Sequence, residues 1–190
     1  MNSWNWPGRE GEKFQVHVYT RSQQVKLELN GKLIGDQNLE QDKSITATFE
    51  VPYEPGTLVA HCFDNGRETA TKTLKTTGKP AQIRLSADRS DITADKNELY
   101  YIMAEILDAE GNVVPDADDI MVHFDVSGPG KVAGVGNGNP RDMSSFQQPM
   151  KKAWQGICLA IIRAEKTPGT INISASAEGL KGASMVVTAK

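Results

Sequence analysis

Apolar side chains recur at every second position through most of this chain, and no stretch carries the three-to-four spacing of a helix face. Residues 14–20 (FQVHVYT) put Phe14, Val16 and Val18 on one side and Gln15, His17 and Tyr19 on the other, the pattern of a half-buried strand. Residues 25–30 repeat it with Val25, Leu27 and Leu29 inward. Asn30-Gly31 then supplies the positive φ angles that a tight hairpin demands, so a partner strand should begin near Leu33. Residues 45–51, 58–64 and 68–74 continue the series, the last two joined by a second such turn at Asn65-Gly66. Short strands broken by turns at such close intervals predict an antiparallel sandwich.

The chain has 190 residues and is 38% hydrophobic, enough for two small cores. Thr76-Thr77-Gly78-Lys79-Pro80 is polar and aperiodic, as befits a boundary that few contacts cross. Beyond it, strands are expected at residues 81–89, 99–108, 120–126, 153–164, 170–177 and 183–189. The stretch 157–162 (ICLAII) is apolar at every position and so needs cover on both faces, from a long loop of its own domain or from a neighbouring domain. The expected fold is all-β: two tandem immunoglobulin-like antiparallel β-sandwiches, at residues 14–78 and 79–190. A junction segment, residues 1–13, comes before them, and its Trp4-Asn5-Trp6-Pro7-Gly8 suits docking better than a free tail.

Composition excludes several kinds of partner. Net charge is -3, with 9 basic and 10 acidic residues before Lys79 and 12 and 14 from it onward, so neither half has the basic face that nucleic acid requires. No apolar run is long enough to span a bilayer, and MNSWNWPGREGEK lacks the charged start and apolar stretch of a signal peptide. Cys62 and Cys158 stand 96 residues apart in strand-like contexts, which is neither a disulfide framework nor a C-x-x-C site. Both read as small buried apolar groups.

Motifs that could carry chemistry fail on their surroundings. In residues 126–140 (VSGPGKVAGVGNGNP), Gly128, Gly130 and Ala133 match the spacing of a dinucleotide loop, but Pro129 interrupts it and AGVGNGNP cannot open the helix that would meet a phosphate. The Gly-Lys pairs at Gly31, Gly78 and Gly130 are followed by Leu, Pro and Val where a Walker loop needs Ser or Thr, so no cofactor is expected. Those glycines read as a loop between strands, taking positive φ or letting backbones approach closely. His17, His61 and His123 sit singly in strands and offer no zinc spacing.

Asp108-Ala109-Glu110-Gly111-Asn112 resembles the start of an EF-hand loop with Asp119 at the twelfth position. Val113 stands where that loop needs glycine, so a hairpin turn with Gly111 at positive φ is expected instead. Residues 115–119 read as a solvated acidic loop, with weak surface calcium binding as the lesser alternative, and no metal site is assigned. Ser144 and Ser145 lack a nucleophile elbow. Glu105 interrupts an apolar face of Tyr101, Met103 and Leu107 and reads as a paired or edge carboxylate. No residue is assigned a catalytic role. Trp4 and Trp6, two apart in an extended segment, point the same way and suit either a sugar platform or a hydrophobic anchor to an adjacent domain. Trp154 opens the apolar strand and is expected in the core.

The runs WNWPGREG, VHVYTRSQQVKLELNGKLIG and FEVPYEPGTLVAHCFDNGRE resemble the region after the catalytic barrel in glycoside hydrolase family 2 enzymes, the β-galactosidases of gut Bacteroides type. IRLSADRSDITADKNELYYIMAEILDAEGNVVPDA, followed by VHFDVSGPGKVAGVGNGNP, is similar to the terminal domain of those enzymes, itself like the bacterial immunoglobulin-like modules of invasins and intimins. The resemblance implies a non-catalytic accessory region whose partner is the barrel of a parent enzyme acting in the periplasm or outside the cell. It also implies that the catalytic glutamates lie in that barrel, and that Trp4 and Trp6 mark the junction with it. In that picture the glycine-rich stretch becomes a strand followed by a long loop at residues 137–151, and Asn137, Asn139, Arg141 and Phe146 on that loop are candidates for contact with an oligosaccharide or with the barrel. The alternative is a carbohydrate-binding or adhesin-like module acting on its own.

Overall fold

The computed structural model of the protein describes residues 3–39 and 44–190, and every regular element among them is a strand. The chain divides into two compact units, Met1–Thr77 and Gly78–Lys190.

In the first unit, β1 (Lys13–Tyr19) pairs antiparallel with β4 (Thr46–Pro52). The second sheet runs in the order β3 (Lys32–Asn38), β2 (Gln24–Leu29), β5 (Thr57–Asp64), β6 (Arg67–Lys75). The two Asn-Gly turns have positive φ at both central residues, 53° and 76° at Asn30-Gly31 and 52° and 77° at Asn65-Gly66. That is the backbone whose twist matches the strands it joins. Val25, Leu27 and Leu29 meet Ala47, Phe49, Val51, Leu58, Ala60 and Cys62 in one core, on the faces their alternation dictates. β6 departs from this pattern: residues 67–73 are exposed on both faces. Lys72 pairs in register with buried Ala60, so it stands on the inward side of the sheet, where the two-stranded layer does not reach.

The second unit comprises β7 (Gln82–Ala87), β8 (Asp91–Ile92), β9 (Leu99–Leu107), β10 (Met121–Ser127), β11 (Gly130–Gly136), β12 (Met150–Lys152), β13 (Ile157–Ala164), β14 (Gly169–Ser176) and β15 (Ala183–Ala189). One sheet is ordered β11-β13-β9-β7 and the other β12-β10-β14-β15-β8. All pairs are antiparallel except β8 with β15, because the chain crosses from the first sheet to the second between β7 and β8. Ile102, Ile106, Val122, Phe124, Cys158, Ala160, Ile162, Ile171, Ile173 and Val187 fill the space between them, each at most 3% exposed. The protein is thus all-β, with two sandwiches of immunoglobulin type.

The glycine-rich stretch is a strand followed by a loop, as the resemblance implies and unlike the bare loop its composition suggests: residues 130–136 form β11, which pairs with β13 through a bulge between Val132 and Gly134. The turn before it does use a glycine as expected, since Gly128 has φ of 95° and a Cβ there would lie 2.2 Å from the Thr170 carbonyl oxygen. The all-apolar strand β13 buries Cys158, Ala160 and Ile162 inward, while Ile157, Leu159 and Ile161 on the outer face are half-buried. A loop of its own domain crosses near that face, where the Val135 N–H donates to the Phe146 carbonyl at 2.8 Å. Beside it on β9, Tyr101 and Met103 remain 40% and 41% exposed.

Candidate functional site

The tryptophan pair does not form a platform. Trp4 is 3% exposed, its indole N–H donates to the Glu54 carbonyl at 3.0 Å, and its ring meets Phe14 and Tyr53 edge-on. Trp6 stacks on Phe14 with centroids 4.9 Å apart, and its buried indole nitrogen has no hydrogen-bond partner among the described residues. The backbone of the segment is also held: Trp4 N–H donates to the Lys75 carbonyl, and the Thr76 hydroxyl donates to the Trp4 carbonyl. Two residues of separation do put both rings on one side, but that side is the core of their own unit.

Three of the loop candidates do come together. Asn137, Asn139 and Arg141 line a cleft of about 530 Å³ in the second unit, with Asp118, Asp119, Asp142, Lys152 and Trp154 among the other walls. Polar side chains wind the loop. The Asn137 side-chain Oδ1 accepts from Asn139 N–H at 3.0 Å, Oδ1 of Asn139 from Arg141 N–H at 3.0 Å, and the Asp142 carboxylate from Ser144 N–H at 2.8 Å. These local bonds are the ones Asn and Asp make readily in turns. The Asn137 amide also donates to Asp142 at 2.8 Å and to the Lys152 carbonyl at 3.0 Å, so its work is to shape the loop. Phe146 lies outside the cleft, 62% exposed, with its ring 4.5 Å from the Lys151 ammonium.

Lys151 anchors the whole loop. Its side chain is fully buried, and the ammonium reaches Asp142 at 3.0 Å, the Ser144 hydroxyl at 2.9 Å and the Ser144 carbonyl at 3.2 Å. The Ser144 hydroxyl and N–H, with further hydrogen bonds from Lys151 and Asn137, hold the Asp142 carboxyl far below the usual carboxylate range. A buried ammonium is tolerated only when paired and hydrogen-bonded in this way.

A family model described as glycoside hydrolase family 2 C-terminal domain 5 matches residues 83–186, which contain this loop and its cleft. The chain belongs to that family. A second model, a domain of unknown function (DUF4982), matches residues 11–70. The beta-galactosidase BoGH2A of Bacteroides ovatus is 39% identical over 188 residues, 98% of this chain and 22% of that protein. A beta-glucuronidase of Formosa agariphila is 27% identical over 186 residues, 96% of this chain and 19% of that protein. A solved glycosyl hydrolase family 2 member from Bacteroides cellulosilyticus superposes with a TM-score of 0.94 at 41% identity, over 100% of this chain and 24% of that one. The chain spans about a fifth of the length of these curated relatives.

In this family 2 C-terminal chain, Asp108, Glu105 and His61 have structural partners. Asp108 is 1% exposed and holds the expected hairpin turn, with Gly111 at φ of 86°. Burial acts to raise its pKa, but hydrogen bonds from Gly78 N–H and from Asn112 outweigh that and leave it lowered. Glu105 pairs across strands with Arg84 at 2.8 Å, and His61 lies 3.0 Å from Glu68. Among the described residues, no three His, Cys, Asp or Glu side chains gather as a metal site would require. Both cysteines are free and buried, and burial pushes the Cys158 thiol up to about 12.

Sequence reasoning misses Lys151, Trp154 and Asp118. Trp154 is half-buried at the cleft wall rather than in the core, because a turn at Gln155-Gly156 separates it from β13 and brings its backbone into two hydrogen bonds with Ile157. A tryptophan just before a turn pair, rather than inside the apolar run, is the signal that could have placed it.

Proposed function

We propose that the chain is a non-catalytic accessory region of a larger glycosidase of β-galactosidase type, bracing the catalytic region or completing its approach to substrate. The observation that carries this reading is proportion: 39% identity holds along 98% of the chain yet accounts for 22% of the relative. The named family model, a C-terminal domain, supports it. A bracing role needs an apolar surface for the rest of the enzyme. The outer face of the β11-β13-β9-β7 sheet offers one, with Tyr101 opposite Ile161 and Met103 opposite Leu159. Paired apolar side chains on an exposed sheet face are the usual material of such contacts.

The test is direct. The purified 190-residue chain, assayed undiluted with a chromogenic β-galactoside, is expected to give no turnover above buffer. Measurable hydrolysis that survives repurification overturns the accessory reading. In the longer enzyme, Met103→Asp with Leu159→Asp is expected to lower thermal stability of the catalytic activity. Unchanged inactivation temperature removes this face as the bracing surface.

A further inference from the structure

The cleft beside Trp154 has the volume of a small-ligand site, since such sites run from about 300 to 1,000 Å³. Its charges are largely settled within the protein. Asp119 is paired with Lys152 at 2.8 Å and Asp142 with Lys151 at 3.0 Å. What remains is one carboxylate and one guanidinium. Asp118 uses one oxygen to accept Gln155 N–H at 2.6 Å, and Arg141 has no carboxylate partner among the described residues. One anion and one cation in the same cleft cancel toward a charged ligand, while offering an acceptor and several donors to neutral hydroxyl groups.

The aromatic wall points the same way. Gly138 lies against the six-membered ring of Trp154, where a Cβ would come within 3.7 Å, so a side chain there would add cover to an indole that is already half-buried. The half-buried indole that lines the cleft, next to hydrogen-bonding groups, suits a flat apolar patch edged by hydroxyls, which is the face of a pyranose. Preorganisation is already in place, because Lys151 and Asn137 hold the loop before any ligand arrives.

We infer that this cleft is a binding subsite for a neutral hexose unit of an oligosaccharide, which stacks on Trp154 and hydrogen-bonds to Asp118, Asn139 and Arg141. The inference rests on the accessory reading only for its choice of a sugar, and the two fail separately: turnover by the isolated chain sinks the first, absence of binding sinks this one. The test is calorimetric titration of the 190-residue chain with neutral galacto- and gluco-oligosaccharides and with a glucuronide-bearing oligosaccharide. Binding of a neutral sugar is expected, weakened roughly tenfold by Trp154→Ala and several-fold by Asp118→Asn or Arg141→Ala. Trp154→Phe, which keeps a ring, should retain most of the affinity, and it guards against a variant that merely misfolds. No heat with any neutral sugar up to about 10 mM overturns the inference. So does binding that Trp154→Ala leaves unchanged, or tighter binding of the glucuronide.

Discussion

The first unit sets two strands against four, and the second sets four against five. In the second, both sheets are wide enough to cover each other, and strands on each side contribute fully buried residues such as Ile102, Ile162, Ile171 and Ile173. The narrow layer of the first leaves residues 67–73 of β6 uncovered, and only at the end of that strand does the chain itself supply cover. Trp4, from outside the strands, is buried against Phe14 and Tyr53 and is hydrogen-bonded to the end of β6. Stability in the two units should therefore reside in different places. In the first it rests on one aromatic plug and the strands nearest it, whereas in the second it is spread through a closed core with a polar loop anchored on top.

The largest effect should come from the plug. Trp4→Ala is expected to cost about 3–5 kcal/mol, the usual range for truncating a buried tryptophan. Denaturant unfolding should show that loss in the first unit's transition and leave the second's in place; equal loss in both would dissolve the contrast. Lys151→Ala attacks the loop of the second unit. About 3 kcal/mol is expected, at the low end for breaking a buried pair because Asp142 reaches solvent. The same pair sets an acid limit. Asp142 has a lowered folded pKa, so its contribution is complete above the ordinary carboxylate range near pH 4 and is lost as pH falls below it. Thermal melts from pH 5 to pH 2 should show that decline in the second unit, and Asp142→Asn should flatten it. The smallest effect belongs to β6. Lys72→Ala should change stability by no more than about 0.5 kcal/mol, as at exposed sites generally, against about 2–5 kcal/mol for Ile171→Ala in β14. A large loss at Lys72 would mean that the open face is covered after all.

How much of this was legible in the sequence depends on the length over which a pattern repeats. β1, β2, β5 and β9 announce themselves through six or more alternating residues, and the Asn-Gly turns through backbone chemistry that few other pairs satisfy. β8 and β12, of two and three residues, are too short to show a period, and β11 shows no alternation because three of its seven residues are glycine, so only the family resemblance marks it as a strand. The cleft was half visible. Asn137, Asn139 and Arg141 are close in sequence and necessarily close in space, but Asp118 and Trp154 join them only through the sheet order. Nothing local distinguishes Lys151 from the exposed Lys152 beside it. Strand alternation turns one inward and the other outward, and the register that decides which is set by pairing with β10. For Trp4 and Trp6, spacing gave a shared side but not the direction of the core.

β6 closes one edge of its sheet, and among the described residues no strand layer lies above it, a geometry that invites a strand from another molecule to add on. Its sequence, RETATKTLK, answers that hazard. Lys72 stands on the inward side, so a second copy pairing there and packing over it would have to bury an ammonium ion, and Arg67 and Lys75 at the strand ends repel like neighbours. A sandwich left half-covered in this way is guarded against polymerising with its own kind, and the guard is charge rather than shape.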